Sequence, residues 1–169
     1  MRTPAETPTI PARPLVLALF EPDIPQNAGT IMRMAACFAL PVAIIEPAGF
    51  PVSDRAFRRA GMDYLDHVVF RRHDSWAHFE EWRRLEGRRL ILATTRGSVP
   101  HTTAAYRPGD VLLFGRETSG VPDFVHDAAD LAVKIPLAPG LRSLNLAVSA
   151  AILTGEALRQ TGGFPTLAP

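Results

Sequence analysis

The chain of 169 residues holds a single cysteine, Cys37. One thiol excludes an intramolecular disulfide and any zinc site built on paired cysteines. Net charge is nearly absent as well, at +1, so the overall field announces no nucleic-acid partner. No apolar run reaches the ~18 residues of a membrane span. LVLALF (15–20) is followed at once by Glu21, Pro22 and Asp23. It lacks both the length and the small-residue cleavage site of a signal peptide, so a cytoplasmic protein without membrane contact is expected. The histidines His67, His73, His78, His101 and His126 fall at no metal-binding spacing such as HExxH. There is no GxSxG nucleophile elbow. Lysine is almost missing, Lys134 standing alone among the basic residues beside 17 arginines.

What is present fits one globular domain. Hydrophobic residues make up 47% and charged residues 21%, and the length suffices for a real core. Between Ser53 and Arg96 there are ten Arg against seven Asp or Glu. Arginine suits bidentate phosphate contacts, so this segment is a candidate phosphate-facing patch. A GC-rich genome explains the wider arginine excess equally well. Pro4, Pro8, Pro11 and Pro14 mark residues 1–14 as a disordered arm. Residues 15–163 read as the domain and 164–169 as a flexible tail.

Apolar runs at 15–20, 42–45, 67–71, 89–95, 111–115 and 131–137 predict strands. They lack period-2 alternation, which points to a mostly parallel sheet covered by helices on both faces, an α/β fold. Ser53 and Ser75 are placed to cap helices. Cys37 and one of the two tryptophans, Trp76 or Trp82, are expected in the core, and His73 and His78 on the surface. A last helix is predicted from about Ser143 to Gln160. It is apolar on nearly all sides, so part of its burial is assigned to a second subunit.

Three loops stand out, each behind an apolar strand, where open α/β sheets bind ligands. In EPDIPQNAGTIMR, Pro25 stiffens the approach, Asn27 can cap the coming helix, and Gly29 permits close approach. Arg33 lies six residues beyond Asn27. In LLFGRETSGVP, Gly115 follows the strand directly, Gly120 and Pro122 close the turn, and Glu117 is a lone carboxylate. In IPLAPGLRSLNLAVSAA, Gly140 permits a sharp turn, and Ser143 or Asn145 can cap the helix. Both cannot be the N-cap at once, so one polar side chain is left for another task. Each loop alone also reads as ordinary turn and capping chemistry.

Together and in this order, the loops resemble the three motifs of the SPOUT RNA methyltransferases. The similarity is to the TrmH-like branch, which methylates ribose 2′-hydroxyls. IPQNAGTIMRMA resembles motif 1, LLFGRETSGVP motif 2 and IPLAPGLRSLNLAVSAA motif 3. The linking segments IIEPAGFPVSDRAFRRAGMDYLDHV and LATTRG are similar to the TrmL subfamily, which acts on the wobble nucleotide of certain leucine tRNAs. The likeness spans residues 15–163.

The resemblance implies a C-terminal trefoil knot, one of the rare exceptions to unknotted topology. It implies S-adenosylmethionine (SAM) as methyl donor, no metal, a homodimer, and the anticodon loop of tRNA as partner, with cytidine or uridine 34 as target. By position it implies Ala93, Gly115, Ile135, Leu137, Ser143 and Leu144 around SAM. Asn27 and Glu117 would fix the first two loops, and Ser143 and Asn145 would orient the ribose or its phosphate. Arg33 matches the motif 1 arginine. Arginine stays protonated in proteins, which favours an electrostatic role over that of a base. Two positions depart from the pattern: Ala147, where relatives often carry Ser, and Gly155, where relatives often carry Tyr near the substrate end of the pocket. The competing readings are methylation of another tRNA or rRNA nucleotide, and a SAM- or RNA-binding module without catalysis.

Overall fold

A computed structural model describes residues 13–59 and 64–167. Seven parallel strands form one sheet: β1 (Val16–Phe20), β2 (Val42–Ile45), β3 (Phe70–His73), β4 (Leu90–Ala93), β5 (Val99–Pro100), β6 (Val111–Phe114) and β7 (Leu131–Lys134). Their order is β3-β2-β1-β6-β4-β7-β5. The helices are α1 (Pro25–Cys37), α2 (Asp54–Arg59), α3 (Trp76–Leu85), α4 (Asp123–Ala128) and α5 (Leu146–Thr161), with a 3₁₀ turn at Leu65–His67.

The absence of alternation in the strands has a direct cause. β1 points Leu17 and Leu19 into one core, with Ile31 and Met32 of α1 and Leu153 and Ala157 of α5. Its other face sends Val16, Ala18 and Phe20 into a second core, with Phe79 of α3 and Val125 of α4. Both faces are dry, so every position is apolar. The strand order turns back at β1, where β2 lies on one side and β6 on the other. Such a switch point opens a crevice beyond the carboxyl ends of the strands.

Several boundaries differ from expectation. The third strand is Phe70–His73, because residues 65–67 close a 3₁₀ turn that buries Leu65. β7 stops at Lys134, where its neighbours end and Pro136 can donate no ladder hydrogen bond. Helix α5 starts at Leu146, with residues 141–145 exposed ahead of it. Ile24 is the N-cap of α1 and Asn27 lies inside that helix, so Asn27 is no cap. Ser53 and Ser75 do accept from backbone N–H groups three residues on, at Ala56 and His78. Cys37 is exposed, because it falls on the outer face of α1. Trp76 and Trp82 both pack on the second core. Of the predicted arm, residues 1–12 lie outside the described residues. The Arg13 guanidinium donates to the Gly87 carbonyl at 3.1 Å, and Pro14 offers its carbonyl to Arg88 at 3.0 Å.

His73 reverses its expected placement: it is 1% exposed. Its ring sits between His78, Phe79 and Trp82 at centroid distances of 5.2 to 5.4 Å. Neither ring nitrogen finds a partner among the described residues. Burial first, then the nearby His78 and Arg71 charges, push its pKa from 6.5 down to about 4. His73 therefore stays neutral in the fold while the unfolded chain takes up a proton as pH falls. Stability is expected to drop between about 6.5 and 4, by up to about 3 kcal/mol. Thermal melts across that window test this, and His73→Leu should flatten the acid limb. An equal slope in the variant would assign the loss elsewhere.

Candidate active site

The loops that follow β1, β4, β6 and β7 meet around one cavity of about 990 Å³ at the carboxyl ends of those strands. That is ample for a nucleoside-sized ligand. All six residues expected around a cofactor line it: Ala93, Gly115, Ile135, Leu137, Ser143 and Leu144. Asn27, Glu117 and Asn145 line it too.

A hydrogen-bond chain ties the three loops together. Glu117 accepts from the backbone N–H of Asp23 at 2.8 Å and of Ile24 at 3.3 Å. It also accepts from Asn27 Nδ2 at 3.3 Å. A carboxylate thus sits at the start of α1, where no side chain of that helix caps it and the dipole favours negative charge. Asn27 Oδ1 in turn accepts from Asn145 Nδ2 at 3.0 Å. Asn145 Oδ1 accepts from the N–H of Ala147 at 2.8 Å and of Val148 at 3.3 Å, so Asn145 is the N-cap of α5. Capping falls to Asn145, and Ser143 is the polar side chain left over. It stands exposed at the cavity mouth.

Asn145→Ala removes the cap and the tie to Asn27 together. The expected cost is about 1–2 kcal/mol, a fall of roughly 2–8 °C in Tm. Asn145→Asp keeps the accepting oxygen and loses only the donor, so it should recover part of that fall. Equal melting of all three proteins would mean that the cap contributes nothing.

The second loop is closed by reciprocal backbone bonds between Arg116 and Gly120, at 3.0 and 2.9 Å. A Cβ on Gly115 would lie 2.7 Å from the Gly120 carbonyl carbon, so only glycine fits. The Arg116 guanidinium bonds Asp23, and Glu21 at 3.2 Å. Arg116, then the Thr118 hydroxyl, hold the Asp23 carboxyl below its usual range. Glu21 adopts a left-handed φ of 43°, uncommon for a side-chain-bearing residue. Sequence reasoning missed this lock. Its one signal is an Arg directly after Gly115 and two acids directly after the first strand.

Lys134 and Arg142 line the cavity and form no ion pair among the described residues, whereas Arg96 is paired with Asp123. The free cations favour an anionic ligand. No group of three His, Cys, Asp or Glu able to hold a metal occurs among the described residues.

Arg33 is the exception to the convergence. It does not line the cavity of its own chain. Six residues carry it about 9 Å along α1 from Asn27, onto the exposed face. There its guanidinium lies over the Tyr64 ring. Gly155 is likewise remote, about 15 Å along α5 from Asn145. A Cβ there would meet open space, so the expected place at the substrate end is not reached within one chain.

The SpoU rRNA Methylase family matches residues 14–155. A tRNA (cytidine(34)-2′-O)-methyltransferase of Ancylobacter novellus is 63% identical over 150 residues, 89% of this chain and 95% of the relative. A solved structure concerned with the 2-OH methylation of C/U34 on tRNA superposes with a TM-score of 0.81 at 42% identity, covering 88% of this chain and 96% of that one. The SpoU methyltransferase AviRb of Streptomyces viridochromogenes, solved with the cofactor AdoMet, gives 0.78 at 25% identity, covering 90% and 62%.

Proposed function

Because this chain belongs to the SpoU rRNA methylase family and is an RNA 2′-O-ribose methyltransferase, we propose that it methylates the ribose of nucleotide 34, a cytidine or uridine, in leucine tRNAs. The methyl donor is SAM and no metal takes part. The observation that carries the reading is the tie Glu117–Asn27–Asn145, which draws three loops onto one cavity in a chain 63% identical to a named tRNA (cytidine(34)-2′-O)-methyltransferase. Residues 15–163 act as one cytoplasmic catalytic domain. Among the described residues no helix is long and apolar enough to cross a membrane.

The cavity suits SAM on its own chemistry. Ala93, Ile135, Leu137 and Leu144 offer apolar walls, Gly115 lets the second loop pack tightly on Gly120, and Lys134 and Arg142 face an anionic end. When bound, SAM supplies a methyl on a sulfonium, already activated for transfer. The protein must then place the ribose hydroxyl in line and stabilise the charge that grows on its oxygen. Ser143 and Asn145 orient the ribose or its phosphate. Arg33 stabilises the developing alkoxide.

Arg33 reaches a substrate through a second copy of the chain. α1 and α5 lie side by side, joined by Asn27–Asn145 near their starts and by the Phe38–Phe164 ring contact near their ends. Arg33 is exposed on α1, and α5 exposes the apolar pair Val148 and Ile152, which are 47% and 37% exposed. Pairing of two such chains about a twofold axis covers the apolar pair and delivers Arg33 to the partner's cavity. The trefoil knot belongs to the same reading. The link from β4 to β5 must cross β7, which lies between them. Gly97 makes that crossing so close that a Cβ would sit 2.7 Å from the Val133 carbonyl carbon.

Labelled SAM incubated with unmodified tRNA tests the assignment. One methyl per tRNA is expected, mapped by nuclease digestion to the ribose of nucleotide 34 of leucine acceptors. A methyl mapped elsewhere would move the target, and transfer to rRNA alone would remove tRNA as the substrate.

A further inference from the structure

We propose that Tyr64 is a positioning residue for methyl transfer: its phenol ring fixes the Arg33 guanidinium in the pose that meets the ribose oxygen. The proposal rests on the reading of Arg33 as the cation opposite the developing alkoxide.

Two contacts define the pose. The Arg33 guanidinium carbon lies 4.6 Å from the centroid of the Tyr64 ring. One terminal nitrogen also donates to the Tyr64 hydroxyl at 3.2 Å. The ring face and the hydroxyl together hold the guanidinium at two points. A free arginine on a helix surface samples many rotamers, and ordering it as the reaction proceeds raises the barrier. A guanidinium already held over a ring and bonded to its hydroxyl has lost part of that freedom beforehand.

The choice of a ring suits the task. A carboxylate would hold Arg33 as firmly, but it would cancel the positive field that an alkoxide needs. A ring face attracts the cation and leaves its charge intact. Arg33 takes part in no ion pair among the described residues. Asp66, on the turn that Tyr64 opens, is engaged by Arg58. Tyr64 is itself anchored: it opens the 3₁₀ turn Leu65–His67, whose Leu65 is buried in the core that α1 shares with α5. Tyr64, like Arg33, lines no part of the cavity of its own chain.

The experiment measures single-turnover methyl transfer from labelled SAM to saturating tRNA by the full chain. Tyr64→Leu and Tyr64→Phe are each made with Arg33 and with Arg33→Ala, and SAM affinity is measured by calorimetry. Tyr64→Leu should slow transfer about 10-fold, with SAM affinity unchanged. Tyr64→Phe keeps the ring and should stay within about threefold of wild type. With Arg33→Ala already present, Tyr64→Leu should change the rate by less than about twofold, because the two act as a unit. If Tyr64→Leu melts below the assay temperature, Tyr64→Met carries the same comparison. Full activity of Tyr64→Leu overturns the proposal and leaves Arg33 in place, as does an equal loss in both backgrounds. A wild-type rate in Arg33→Ala overturns the role of Arg33 and that of Tyr64 with it.

Discussion

Arg33→Ala should bind SAM as tightly as wild type and lose methyl transfer by about 10²–10³-fold, the usual effect of deleting one donor to a developing oxyanion. The two halves of that result have separate causes. Arg33 contributes nothing to the walls of its own cavity, which are built from the loops after β1, β4, β6 and β7. Truncating it therefore leaves the walls of that cavity as they are. On the proposed role its charge acts once negative charge grows on the ribose oxygen, so the loss should fall on kcat more than on KM. Calorimetry with SAM and a filter assay with labelled SAM read the two quantities. A variant with weakened SAM binding would place Arg33 in the cofactor pocket, against the geometry. A variant with unchanged turnover would end its role in catalysis.

Sequence and structure agree best where backbone chemistry is local. The apolar strands and the Ser53 and Ser75 caps are set by neighbours in the chain, and all are found. The six residues expected around a cofactor came from the resemblance; they meet at one cavity because parallel strands deliver their carboxyl ends to one edge. Long-range pairing was not legible. Nothing near Asn27 reveals that Glu117, 90 residues on, supplies the acceptor that its helix lacks. His73 sits in the arginine-rich segment and looks exposed by composition, yet the register of β3 beside β2 turns it inward. Arg33 was identified by resemblance alone. Its distance from the cavity of its own chain, and its seat on Tyr64, required coordinates.

Gly115→Ala should abolish SAM binding, with a loss of affinity above about 100-fold, while the sheet and helices remain folded. The added methyl would come within 2.9 Å of the Gly120 carbonyl oxygen and of Val121 Cγ1, as well as 2.7 Å from the Gly120 carbonyl carbon. Two of these three neighbours are backbone, held by the reciprocal Arg116–Gly120 bonds and by the Arg116 pairs with Glu21 and Asp23. The loop cannot give way by rotating a side chain, so it must open, and the cavity wall opens with it. The damage is local, because Gly115 lies beyond the last residue of β6. A modest fall in Tm with lost SAM binding is the expected pair of readings, and retained affinity would show that the loop is softer than its bonding. The variant also decides how Arg33 works. In a dimer that joins one Arg33→Ala chain to one Gly115→Ala chain, an arginine acting across the interface leaves one complete site: the sound cavity of the first chain with the sound arginine of the second. An arginine acting within its own chain leaves none. Restored transfer on mixing two inactive variants, at about a quarter of the wild-type rate after random exchange and about half for the purified heterodimer if the sites are independent, is the expected result. A dead mixture of confirmed heterodimers would return Arg33 to its own cavity and require α1 or the third loop to move before the reaction.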